Sequence, residues 1–508
     1  MRTKRDAYAE GLALSAANRH AEAIGCYEAA LNERPGDVRV LFALGNTASA
    51  LGMPKPAESF FRQVLEQEPE RFEATVNLAN LLRAEGQFEA AEKLLAPALA
   101  RYPHTPELWL TLGSVHAEKG DAARAAEHYR QALALRPDYP PALGNLADIL
   151  ADDGEMEEAL ALYGRALAQD PGNAQAKLNR AVLHLLKGNL KDGWRDYDGR
   201  LALARAPRAD RALRRWQGES LKHKRLIVRA EQGVGDQLMF ASLVPELAVR
   251  AAREGGHVIL ECETRLGALF ARSFPTIEVR SSRIETREGV AVARYDWLDG
   301  DDIDNDIATV AIELGSLPQM LRSELARFPK PHRFLAPHAS EAEHWGKAFR
   351  QAGHGPWIGL CWRSGLSGGA RNVQYAPLAA WAKFLRTLPG TLVCAQYDVR
   401  REELSQLETM SGRKIFLPAG LDQKNEIDRT CAMLSQLDAV VSAPTAVSWL
   451  AAGAGVATAK VLYDTSWTAF GQAYEPFAPA CKLMMPATRG DWSSAFAKAA
   501  QWIAGHSA

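Results

Sequence analysis

The sequence has no paired-cysteine spacing. Its six cysteines, Cys26, Cys262, Cys361, Cys394, Cys431 and Cys481, are scattered over 508 residues with no CxxC among them. That excludes a disulfide framework or a thiolate zinc site and suits reduced, mostly buried thiols of a cytosolic protein. Charge of one sign is missing too. Lys and Arg number 60 against 61 Asp and Glu, a net −1, whereas a chain that binds nucleic acid along its length is strongly basic. The first residues carry charge but no apolar run, so no secretory signal is expected there. The one uncharged stretch of bilayer length, 439–459, holds Pro444, Gly453 and Gly455 among small residues. It reads as a buried strand, turn and helix rather than a membrane span. With 47% apolar residues the composition is globular, and the length requires two or three domains.

What is present first is a repeat. Pro35, Pro69, Pro103, Pro137 and Pro171 stand 34 residues apart, which is the tetratricopeptide (TPR) period. Other positions fall in phase: Gly11, Ala23, Tyr27 and Ala30 recur as Gly45, Ala57, Phe61 and Val64, and as Gly113, Ala125, Tyr129 and Ala132. Small residues let two helices cross closely, large ones fill the gap between repeats, and proline stops the second helix. Helix pairs are expected from about residue 4 to about 171, with a degenerate sixth unit near 174–203 capping an α-solenoid of residues 1–203. Such arrays do no chemistry. The concave face is expected to select a polypeptide, with a dimerisation or packing surface as the alternative.

Residues 204–215 read as a linker. The bases Arg205, Arg208, Arg211, Arg214, Arg215, Lys222, Lys224 and Arg225 lie in and after it. A solvated segment is favoured over a nucleic-acid site, because no aromatic stacking platform is interleaved. From Leu226 the pattern changes to short apolar runs: LIVRA, HVILEC, WIGLCW, TLVCAQ, KIFLP, DAVVSA and AKVLY, separated by helical stretches such as 238–253. This alternation implies parallel sheets in two Rossmann-like lobes, 216–335 and 336–508. Ligands bind such sheets at the carboxyl ends of the strands.

Three loops stand at such ends. Gly233-Val234-Gly235-Asp236 lets the backbone approach a ligand at a helix start. The third glycine of a dinucleotide fingerprint is replaced by Leu238, which argues against a nicotinamide enzyme. On spacing alone Asp236 reads as a helix cap before it reads as a general base. Arg363, Ser364 and Arg371, in a glycine-rich turn after WIGLCW, suit phosphate or carboxylate. Ser442, Thr445 and Ala446 open a helix after DAVVSA, another anion position, although ordinary strand–helix packing explains the same residues. An acidic run, Asp299, Asp301, Asp302, Asp304 and Asp306 with Glu313, matches calcium-loop positions but has Ile307 where glycine is required; a solvated loop and helix start is expected instead.

Taken together, KGNLKDGWRDYDGR, AEQGVGDQLMFASLVPEL, IELGSLPQML, IGLCWRSG, LDAVVSAPTAVSWLAAGAG and SWTAFGQAYEPFAP resemble TPR proteins that end in a GT-B glycosyltransferase related to the heptosyltransferases. That resemblance implies a fold of TPR solenoid followed by a GT-B pair of lobes, acceptor side at 216–335 and donor side at 336–508. It makes Asp236 the catalytic base, with Glu231 in reserve. It places a nucleotide-sugar donor against Gly233, Gly235, Arg363, Ser364, Arg371, Gln396, Asn425, Ser442, Thr445 and Ala446, with no metal and no further cofactor. Two positions depart from that family: Pro444 stands for its usual Asp and Trp449 for its His. CWRSG, QKNEID and SAPTAVSWLAAGAG look closer to TPR flagellin glycosyltransferases, which are associated with CMP-linked nonulosonic acids such as pseudaminic or legionaminic acid. The resemblance therefore implies a cytoplasmic protein O-glycosyltransferase acting on Ser or Thr of a protein acceptor, plausibly flagellin, without nucleic acid or an integral membrane segment. The rivals are a non-catalytic adaptor with a degenerate transferase half, and a transferase acting on a glycan or lipid.

Overall fold

The computed structural model describes residues 6–203, 207–287, 289–299, 308–328, 333–365 and 373–505. It divides into two compact units, Met1–Ala176 and Lys177–Ala508.

The first unit is a run of helix pairs, from Ala7–Ala16 with His20–Glu33 to Pro140–Asp152 with Met156–Gln169. The second helix of each pair ends two residues before one of the five periodic prolines. A second periodic device sits in the turn inside each pair. Asn18, Gly52, Gly86, Gly120 and Gly154 have φ of 58°, 69°, 74°, 89° and 89°. The reversal between two packed helices needs one left-handed residue, which glycine and, less readily, asparagine supply. The small and large positions form matched pairs. A Cβ on Gly11, Gly45 or Gly113 would lie 2.5–2.6 Å from the ring of Tyr27, Phe61 or Tyr129 respectively. Glycine on one helix thus makes the space that the aromatic ring on its partner fills.

The second unit begins at Lys177 rather than after residue 203. Most of helix Ala174–Leu186 and all of Leu190–Tyr197, read from sequence as the degenerate repeat that caps the solenoid, group by packing with the α/β part. Trp194 explains why. Its ring meets Tyr197, Phe240, Phe470 and Phe477 near edge-on, with centroids 5.6–6.3 Å apart. Phe240 follows the Gly233–Asp236 turn, and Phe470 and Phe477 come from the C-terminal tail. Such clusters bury large apolar area in a geometry aromatic rings favour.

Two parallel sheets organise the rest. The first has the order Arg214–Arg215, Ala308–Glu313, Lys224–Arg229, His257–Cys262, Glu278–Ser281. The second has the order Ile415–Phe416, Thr391–Cys394, Trp357–Cys361, Ala439–Ser442, Ala457–Val461, Cys481–Met484. In chain order the second sheet reads 3-2-1-4-5-6, so its crossovers reverse direction between Trp357–Cys361 and Ala439–Ser442, where such sheets bind ligands. In the first sheet the reversal lies at Lys224–Arg229, the strand that leads into Gly233–Asp236. Leu226 and Val228 join the large core while Ile227 packs with Tyr295, Leu298 and Ala311 on the other face. Burial on both faces is why these strands read as continuous apolar runs.

Several local expectations change. The linker, expected to end at 215, holds the edge strand Arg214–Arg215, and Arg215 forms an ion pair with Asp198. The helix expected at 238–253 begins at Val234 and tightens into a 3-10 turn at Ala241–Leu243 before Val244–Glu254. Pro245 cannot donate a bond back to Ala241, so the regular ladder breaks there. Asp301, Asp302, Asp304 and Asp306 lie outside the described residues. Glu313 ends a strand, pairs with Arg229 and stands at the N-cap of the short 3-10 turn Leu314–Ser316. Residues 439–459 form strand Ala439–Ser442, helix Ala446–Gly453 and the start of strand Ala457–Val461. Among the described residues no helix is long and apolar enough to cross a membrane, and no group of three potential metal ligands occurs. All six thiols are free; five are buried and Cys26 is half-buried.

Candidate functional site

The loops at the two reversal points open onto one hollow of about 790 Å³. Gly233, Val234, Gly235 and Asp236 line it from the first sheet. Ser364, Gly365, Pro444, Thr445 and Ala446 line it from the second. A Cβ on Gly235 would stand 3.7 Å from the Cα of Ala446. Helices Val234–Phe240 and Ala446–Gly453 thus begin beside each other, and their first N–H groups have no partner within the helix. Elsewhere the two lobes are tied directly. Arg265 Nη1 donates to the Lys424 carbonyl at 2.8 Å, Arg272 Nε to that of Ala336 at 2.7 Å, and Arg272 forms an ion pair with Asp428.

Asp236 is the third residue of its helix, and the N-cap residue, Gly233, offers no side chain. Burial pushes the Asp236 carboxyl above its ordinary range, while the amide of Gly233 and the charge of Arg200 pull it back. Capping and lining the hollow are therefore compatible roles: the carboxylate reaches the start of its own helix and still faces the cavity. Glu231 does not line the hollow. Its buried carboxylate accepts from Arg200 Nη2 at 2.7 Å. Arg200 also donates to Asp198 at 3.1 Å and to Ser316 Oγ at 2.9 Å. A Cβ on Gly315 would come within 2.3–2.8 Å of Gln232, Glu231 and Arg200. Three separate sequence stretches, DYDGR, AEQGVGD and ELGS, therefore meet in one buried ion network behind the glycine turn. Glu231 is thus engaged by Arg200 behind the turn and is not among the lining residues.

On the opposite wall the residues divide. Arg363 is not in the lining. Its guanidinium is held by Glu403, with Nη2–Oε2 at 2.7 Å and Nε–Oε1 at 2.9 Å, and it also donates to the Asp398 carbonyl at 2.9 Å. Gln396 is buried; its Oε1 accepts the amides of Trp362 and Arg363 at 3.0 and 3.1 Å, and its Nε2 returns a bond to the Arg363 carbonyl at 2.9 Å. Both residues shape the loop after Trp357–Cys361 rather than face the hollow. That loop presents Ser364, whose Oγ lies 2.9 Å from the Tyr397 hydroxyl, while the Gly365 amide donates to the same hydroxyl at 2.7 Å. Asn425 is exposed and donates to Asp422 at 2.7 Å, outside the lining. Ser442 is fully buried and donates to the Ala443 carbonyl at 2.6 Å. Thr445, at the N-cap of its helix, stands 3.2 Å from Ser442 Oγ and lines the hollow with Ala446. Arg371 lies outside the described residues.

The tetratricopeptide repeat family matches residues 8–72 and 76–140, and a second tetratricopeptide repeat family matches 150–193. The chain carries tetratricopeptide repeats. It is also related to Protein FlbA of Caulobacter vibrioides, 32% identical over 329 residues, which is 64% of this chain and 54% of that protein. The chain thus spans about half the length of that curated relative, and the matched stretch is longer than the first unit. Among solved structures it is similar to TTC0263, a thermophilic TPR protein of Thermus thermophilus, at 28% identity over 36% of this chain and 100% of that one, TM-score 0.33. It is similar too to PilW, described as a widely conserved type IV pilus biogenesis factor, at 21% identity over 38% and 90%, TM-score 0.35.

The positive charges that reach the hollow come from residues the loop motifs did not indicate: Arg265, Lys424 and Lys460. Arg265 is paired with Glu263 at 2.9 Å. Lys460 is buried, with Nζ 2.6 Å from Glu475 Oε1 and 3.9 Å from the centroid of the Trp449 ring. A signal for it existed in the sequence, since a lysine interrupts the otherwise apolar run AKVLY. Gln423 and Trp467 also line the cavity; nothing in their spacing distinguishes them from ordinary loop and core residues.

Proposed function

We propose that the second unit is a metal-independent GT-B glycosyltransferase, and that the chain moves a sugar from a nucleotide donor to a Ser or Thr hydroxyl of a protein chosen by the tetratricopeptide array. A CMP-linked nonulosonic acid is the favoured donor and flagellin the named candidate acceptor. The observation that carries the reading is the single hollow shared by the Gly233–Asp236 turn and the Thr445–Ala446 helix start, with the Asp236 carboxylate in its wall. In the proposed reaction the acceptor oxygen bonds to the anomeric carbon and its proton passes to Asp236. The sugar–phosphate C–O bond breaks, and its electron pair leaves on the phosphate oxygen. A carboxyl held above its ordinary range is a stronger base once ionised. It also sets the acid side of the pH profile: transfer falls as pH drops through the Asp236 value, which lies above that of a solvent-exposed aspartate.

The test is turnover of CMP-, UDP-, GDP- and ADP-sugars by the full chain with a protein acceptor, compared with Asp236→Asn. The variant is expected to lose about 10²–10⁴-fold in rate with an unchanged melting temperature. Equal rates in the two proteins would refute the assignment of Asp236. The adaptor reading draws support from the commitment of Arg363 to Glu403; it predicts donor binding with no turnover of any sugar nucleotide.

A further inference from the structure

Lys460 is out of place by composition. It sits in strand Ala457–Val461, whose other members are small or aliphatic, and its side chain is 4% exposed. Its pairing register sets it opposite Ser442, three residues before Thr445 and the start of helix Ala446–Gly453. Its ammonium is fixed from two sides, by Glu475, whose side chain is 0% exposed, and by the face of Trp449. Lys460 and Trp449 both line the hollow.

A buried ion pair gains little over an apolar pair of the same volume, because both charges must be desolvated. This one is also incompletely used. An ammonium has three donors, and among the described residues only Glu475 takes a hydrogen bond from it. The second oxygen of Glu475 is buried without a hydrogen-bond partner. What such a pair does provide is a cation oriented at the edge of a cavity. Trp449 adds a cation–π contact that holds it from the other side.

We infer that Lys460 is the anion seat of the hollow, binding the phosphate of the nucleotide donor, the task that the loop motifs gave to Arg363. The inference rests on the nucleotide-sugar reading and adds the residue that takes the charge. As the sugar–phosphate bond breaks, the electron pair left on the phosphate oxygen is stabilised by a hydrogen bond from the ammonium, which keeps its proton. Trp449 then serves as the platform that holds the ammonium in place.

The experiment measures binding of CMP, cytidine and a free sugar acid, N-acetylneuraminate, to the full chain by calorimetry. UMP, GMP and AMP with their nucleosides form a parallel set. The variant is Lys460→Met with Glu475→Gln, which removes both charges and leaves no lone buried ion. Lys460→Arg serves if the double variant does not fold. The readout is the ratio of nucleotide to nucleoside affinity, which a merely less stable protein keeps. The double variant is expected to lose about tenfold to a hundredfold on the nucleotide and nothing on the nucleoside. Lys460→Arg is expected to lower the same ratio by less, through misplacement of the charge. An unchanged ratio in both variants overturns the inference while leaving the nucleotide reading intact. A loss confined to the sugar acid assigns the charge to a carboxylate and overturns it as well. If the unmodified chain binds none of the nucleotides, the nucleotide reading fails and the inference with it.

Discussion

The two units use their residues in opposite ways. In the helical unit each helix packs on its sequence neighbours, and one residue's job is repeated every 34 positions by Asn18, Gly52, Gly86, Gly120 and Gly154. In the α/β unit the corresponding work is shared among distant segments. Arg200, Glu231 and Ser316 meet behind the glycine turn from stretches more than thirty and more than eighty residues apart. Repetition makes damage local, because each repeat depends only on its neighbours. Assembly from distant segments makes damage shared, because one missing side chain leaves several buried groups without partners.

The widest separation between the units is expected from Arg200→Met. The guanidinium is 7% exposed and serves Glu231, Asp198 and Ser316 together. Its removal strands a buried carboxylate, at a cost of about 3–5 kcal/mol. Scanning calorimetry should show the transition of the α/β unit moving down while that of the helical unit holds. Adding Glu231→Gln should recover most of the loss, because the stranded charge is then gone. If both transitions fall together, the contrast between local and shared damage is wrong.

A slightly smaller effect is expected from pH. Glu261 is 3% exposed, and burial raises its carboxyl from 4.5 to about 7 against the opposing pull of Tyr295, Arg229, Trp297 and Arg280. The folded state therefore holds a proton that the unfolded state releases. That contribution is full below about pH 4.5 and is lost as pH rises through about 7. A tenfold difference in proton affinity is worth about 1.36 kcal/mol, so the loss is on the order of 3 kcal/mol. Glu261→Gln should flatten stability across this window, gaining most at pH 8. An unchanged pH slope in the variant would assign the titration to another group. In the helical unit the pH response should have the opposite sign, because burial first and the charge of His116 second hold the His128 imidazole below its ordinary value, so that unit loses stability as pH falls and not as it rises.

The same contrast sets what could be read from the sequence. The solenoid was legible because its spacing is written in local terms: proline two residues after a helix, a small residue facing an aromatic one. The left-handed turn residues were equally periodic, but glycine at a turn carries little signal until the backbone angle is known. The strands of the α/β unit could be recognised as apolar runs, and the loops after Arg229, Cys361 and Ser442 could be placed at strand ends. Which side chains of those loops face the hollow could not. Arg363 has the chemistry of a phosphate ligand, yet Glu403, forty residues on, claims it. Lys460 looks like an interruption of a strand, yet its register opposite Ser442 brings it to the cavity. Both outcomes depend on pairings that no local pattern encodes. Residues 177–197 keep the helical rhythm of the repeats, and the tetratricopeptide match runs to residue 193, yet Trp194 packs on Phe240, Phe470 and Phe477 of the α/β part.

The smallest effect offers the sharpest view of locality. Gly120 has φ of 89° and ends helix Pro106–Lys119, and a Cβ there would meet nothing within 4 Å. Any cost of substitution is then conformational rather than steric crowding by neighbours. Gly120→Val should cost about 1–2 kcal/mol, the price of a left-handed conformation for an L-residue. Gly120→Asn should cost less, since Asn18 already holds the equivalent place at φ 58°. Hydrogen exchange on the valine variant should quicken in Pro106–Lys119 and Ala122–Leu135, fade in the adjoining pairs and leave the α/β unit unchanged. Nucleotide binding should not move. Equal costs for valine and asparagine would mean that the turn is not what constrains this position, and faster exchange throughout the chain would mean that the repeats are not independent.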